Sequence, residues 1–84
     1  MSQPVIRAIW VDQMLQVVAR VVQLDTGDGL VYEGLVMSSN PMIEVKATRH
    51  LSQAVYGVDK ILADEGMEPT TMINNAEVHI VRRT

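Results

Sequence analysis

Five residues, Asp25-Thr26-Gly27-Asp28-Gly29, stand between two runs rich in β-branched and aliphatic side chains, Val17–Leu24 and Leu30–Met37. Glycine supplies positive φ without steric cost, and aspartate offers a carboxylate to nearby backbone N–H groups, so the five residues spell a tight turn. Together with its flanks the segment reads as a β-hairpin. Gly34 lies inside the second run and marks a bulge or a sharp bend.

The remaining pattern is arranged around this hairpin. Ser2 and Pro4 suit a helix start, and Val5, Ile6, Ile9, Trp10 and Met14 follow at helical spacings, which predicts a short amphipathic helix over residues 4–14. Ser38-Ser39-Asn40-Pro41 is a second turn. Met42–Thr48 alternates, with Ile43, Val45 and Ala47 set against Glu44, Lys46 and Thr48, and predicts a third strand with one face buried. Leu51, Val55, Val58, Ile61 and Leu62 repeat at three and four, which predicts a helix within residues 49–66. Thr48 or Ser52 would cap it, and Gly66 would close it. Thr70–Ile73 and Glu77–Arg82 read as two final strands joined at Asn74-Asn75.

Length and composition bound what such a chain does. Its 84 residues make a single domain, residues 1–84, with one modest core, and 48% apolar against 20% charged residues favour folding over disorder. With Trp10, Tyr32 and Tyr56 as the aromatic residues, the core has to be aliphatic. The absence of cysteine excludes disulfides, thiolate metal sites and cysteine nucleophiles. Seven basic against ten acidic side chains, a formal −3, argue against coating nucleic acid by bulk charge but not against a local site. No apolar run approaches a membrane span, and Met1-Ser2-Gln3-Pro4 carries no basic leader, so a nuclear or cytoplasmic location and no membrane partner are expected. A domain this small also gains buried area by oligomerising.

The chain resembles the Sm and Sm-like (LSm) family. The residues that carry the likeness are Val21–Leu24 and Thr26-Gly27, then Tyr32-Glu33-Gly34-Leu35-Val36, Ser39-Asn40-Pro41 and Ile43-Glu44-Val45, and finally Met72–Ile80. Tyr-Glu-Gly followed by a polar-Pro turn is similar to the ataxin-type domain, and the opening helix to a D-type spliceosomal protein. The resemblance spans residues 4–48 and 70–82. It implies a mainly β fold: a small, strongly bent five-stranded antiparallel barrel with an N-terminal helix, here with a helical insertion before the last two strands.

By the same resemblance, subunits join into a ring by pairing the fourth strand of one with the fifth of the next. The ring would be the core of a ribonucleoprotein that binds single-stranded U-rich RNA in pre-mRNA splicing or RNA turnover. Its partners would be copies or other Sm-like subunits, and no catalysis or cofactor is implied. Carried across by position, Met42 would stack on a base, Glu44 would read its edge, and Asn74 and Asn75 would supply the second-loop contacts. Glu44 stands where the family has Asn, and Asn74-Asn75 where it has Arg-Gly. An ionised Glu only accepts hydrogen bonds and repels phosphate, so these departures weaken or alter the RNA site while leaving ring assembly intact.

Two other readings remain open. Leu24-Asp25-Thr26-Gly27 matches the centre of the aspartic-peptidase signature, in which a dimer pairs two such aspartates, although hairpin-turn chemistry accounts for the same residues. A non-RNA oligomeric scaffold on the same fold is the second. His50 and His79 have no metal-ligand spacing. Trp10 suits a plug at the end of a barrel, the stripe from Leu51 to Leu62 suits packing on the domain's own sheet, and Arg82-Arg83 suits a solvated tail or an RNA contact.

Overall fold

The computed structural model describes residues 3–73 and 78–83. Seven elements follow one another: β1 (Val5–Val11), β2 (Val17–Asp25), β3 (Leu30–Val36), β4 (Ile43–Thr48), α1 (Leu51–Asp64), β5 (Met67–Ile73) and β6 (Val78–Arg83). The strands form one curled sheet in the order β4-β3-β2-β1-β6-β5. Every pairing is antiparallel except that of β1 with β6, which is parallel.

The mainly β class and the single helix before the last two strands stand. The N-terminal helix does not: residues 5–11 are strand β1, and the sheet has six strands rather than five. Val5, Ile6, Ile9 and Val11 are stiff at χ1 and pack well on a pleated sheet. The β1–β2 register shifts twice: Arg7 is the extra residue on β1 between Ile6 and Ala8, and Val18 is the extra residue on β2 opposite Trp10 and Val11. The bulge at Arg7 moves the side chains that follow it across the sheet, so an irregular strand mimics helical spacing in the sequence. Nor is the sheet a wholly antiparallel barrel. Among the described residues β4 and β5 are its two unpaired edges.

The turn at residues 25–29 has the chemistry its sequence predicts. The Asp25 carboxylate accepts the Gly27 amide at 3.0 Å, the Thr26 amide donates to the Gly29 carbonyl at 3.0 Å, and Gly27 sits at φ 89°. The strands on either side pair from Ala19↔Val36 to Asp25↔Leu30. The second turn contains a cis Asn40–Pro41 peptide bond. It is tied to the far end of α1, where Ser38 and Ser39 both donate to the Glu65 carboxylate.

Helix α1 covers one face of the sheet. Ala54, Val58 and Leu62, four residues apart, are fully buried and meet Ala8, Trp10, Ala19, Val21, Val36 and Val81 in one core. The Leu51-to-Leu62 stripe is therefore core. Neither Thr48 nor Ser52 caps α1. His50 is the N-cap residue and makes no side-chain cap bond, while Thr48 donates to Gln53 at 2.6 Å. Gly66 closes the helix at φ 81°, with its amide on Ala63. Strand β5 begins before Pro69, which an edge strand tolerates. Arg82 and Arg83 belong to β6 and pair with Glu68 and Met67, not to a tail.

Candidate interaction surfaces

Cross-strand register carries one row of side chains across the face opposite α1. Val78 pairs with Ile9, Ile9 with Arg20, Arg20 with Leu35, and Leu35 with Glu44. A second row runs Ile6, Val22, Glu33. Ala8, Trp10, Ala19, Val21 and Val36 alternate with these positions and point to the helix, so the two rows lie on the uncovered face. A solvated sheet face ordinarily carries polar residues. Here Ile9, Val22, Leu35 and Val78 are half-buried only by their own neighbours, and Ile6 is 58% exposed.

The β2–β3–β4 part of this face forms a groove of 490 Å³. Val22 and Leu35 give it an apolar floor, with two cations, Arg20 and Lys46, and two carboxylates, Glu33 and Glu44, around it. Among the described residues none of these four charged side chains makes an ion pair or a side-chain hydrogen bond. Of the residues singled out from the sequence, Glu44 lies in this groove. Met42 is exposed just before β4 and is not part of its lining, and Asn74 and Asn75 lie outside the described residues.

A second surface was hidden by the helical reading of residues 4–14. Asp12–Gln16 is the tip of the β1–β2 hairpin. The Asp12 Oδ1 accepts the amides of Met14 and Gln16, each at 2.9 Å, and the Leu15 amide donates to the Asp12 carbonyl at 3.0 Å. Leu15 is held at φ 63°, a conformation that L-residues other than Asn and Asp seldom adopt. The tip presents Met14 and Leu15, each 79% exposed. The signal in the sequence was an Asp followed by two amides' worth of turn between β-branched runs. The loss of alternation in β1 concealed it.

Asp25 is exposed and engaged in its own turn. Among the described residues no three His, Asp or Glu side chains group to hold a metal ion. No helix among the described residues is long and apolar enough to cross a membrane. Of the last two strands, both expected to dock in a ring, β5 lies at an edge and β6 is flanked by β1 and β5. The two real edges both carry features that discourage strand addition. In β4 these are Lys46 and a register shift between the pairs made by Tyr32 and Gly34, and in β5 they are Pro69 and a shift before Thr71. No protein-family model, curated protein or solved structure matches the chain.

Proposed function

We propose that this chain is a non-catalytic assembly subunit, a small β-domain that works by joining to other polypeptides through its sheet. The observation that carries the reading is the uncovered sheet face, where aliphatic side chains occupy positions that water would otherwise claim for polar ones. Apolar patches of this kind, rimmed by charge, mark interaction surfaces. The blunted edges turn assembly toward the face of the sheet rather than toward continuous strand pairing.

Sizing with light scattering across a concentration series tests this. Oligomers that grow with concentration are expected, and a monomer at every concentration would overturn the reading.

An Sm-type ring on U-rich RNA is the second reading. It is favoured by the β3–turn–β4 hairpin that bears Tyr32-Glu33-Gly34, and by the place of Glu44 in a groove with Arg20 and Lys46. Native mass spectrometry with a short oligo-uridine separates the two: the second reading requires a six- or seven-subunit ring that takes up RNA.

A further inference from the structure

We infer that the β1–β2 hairpin tip of one copy docks in the β2–β3–β4 groove of a second copy of this chain. The inference deepens the assembly reading and rests on it.

The tip is an anomaly by the standards of folding alone. Leu15 adopts a left-handed backbone that Gly, Asn or Asp would take more easily, and it leaves its side chain 79% exposed beside an equally exposed Met14. The left-handed turn closes the hairpin, but leucine is not the residue that adopts it easily, and its exposed side chain adds little to the core. The two bonds from Asp12 nevertheless hold the loop in one shape, which is what a preorganised contact requires.

The groove has the complementary composition. Its floor of Val22 and Leu35 suits Met14 and Leu15. Arg20 and Lys46 would meet the Asp12 carboxylate, and Glu33 and Glu44 would accept from the Gln13 and Gln16 amides. Docked head-to-tail, a pair of copies leaves one tip and one groove open, and such contacts close into rings or run on as filaments.

The test uses two variants of the full chain and their mixture. Leu15→Gly with Met14→Ser disarms the tip, and Arg20→Glu with Lys46→Glu reverses the cations of the groove. All four positions are exposed, and glycine relieves the backbone at position 15, so thermal melts should show both variants folded. Each variant alone should self-associate at least about tenfold more weakly than the parent chain. Mixed in equal amounts, the two should form a one-to-one heterodimer and nothing larger, because only one intact tip and one intact groove remain. Oligomers of the parent chain that survive in both variants would overturn the docking while leaving the assembly reading in place. So would two dissociated variants that fail to rescue each other. A parent chain that never self-associates would overturn both.

Discussion

The indole of Trp10 lies flat against the imidazole of His79, with ring centroids 4.8 Å apart and planes 11° from parallel. The two are register partners on the parallel strands β1 and β6. Trp10 also donates its Nε1–H to the Asp59 carboxylate on α1 at 2.8 Å. One fully buried side chain thereby joins the first strand, the last strand and the helix. His79 contributes less evenly, since its buried Nε2 has no hydrogen-bond partner among the described residues.

An orphaned buried polar atom costs stability that an apolar ring does not. His79→Phe keeps a stacked aromatic pair and removes the orphan, so it should stabilise the domain by about 1 kcal/mol. Trp10→Ala should cost about 3–5 kcal/mol through the cavity and the lost contacts. Urea unfolding of the two variants, compared at equal slope, checks both signs.

Gly57 should behave against its propensity. Replacing a mid-helix glycine by alanine ordinarily stabilises by about 1 kcal/mol. Here a Cβ at Gly57 would come 2.9 Å from Val45 Cγ1, and one at Gly34 would come 2.9 Å from Val45 Cβ and 2.7 Å from Val58 Cγ2. Val45 is held between the two glycines and has little room to give. Gly57→Ala should therefore destabilise, and Val45→Ala in the same chain should recover part of the loss, which a double-mutant cycle would measure.

Asp25 should prove to be a turn residue. Asp25→Ala loses the bond to the Gly27 amide and should cost roughly 0.5–2 kcal/mol, as the loss of a comparable side-chain cap does. Asp25→Asn keeps an acceptor and should unfold close to the parent chain. A peptidase would share that ranking of stability but would also cleave a peptide substrate as the parent chain and lose the activity as the folded Asp25→Asn, so a cleavage assay beside thermal melts decides between them.

Ile80 lies inside β6 and is paired on both sides, with Val11 and with Thr71. Ile80→Pro should consequently unfold the domain, because proline within an interior strand removes a ladder bond that nothing replaces. The far-ultraviolet circular dichroism signal would be lost. Folded monomers that merely fail to assemble would mean that β6 is an edge.

The sequence made the middle of this fold readable and its beginning opaque, for a physical reason. From Val17 to Thr48 the strands are runs rich in β-branched and aliphatic residues bounded by Gly, Asp, Asn and Pro, so composition and turn chemistry agree. From Leu51 to Asp64 the buried positions repeat every four residues, and only the capping residue differs from expectation. In β1 a bulge at Arg7 scrambles the period, and local spacing cannot report a strand whose partners lie at residues 17–23 and 78–80. The same error hid the Asp12–Gln16 tip. The groove was half visible: Glu44 was picked out, but Arg20, Glu33 and Lys46 join it only through cross-strand register, which no linear motif encodes.

The parallel contact of β1 with β6 sets the order of events in folding. Ile9 pairs with Val78, 69 positions later in the chain (78 − 9 = 69). That seam lies at an interior position of the sheet, so β4-β3-β2-β1 on one side and β6-β5 on the other remain two separate sheets until it forms. Closing so long a loop is entropically costly before any contact rewards it, which makes the seam a late and rate-limiting step. During synthesis Trp10 has to wait, with its stacking partner unmade, until residue 79 has left the ribosome. The four-stranded part meanwhile exposes the flank of β1 as a temporary third edge, without the proline that marks β5.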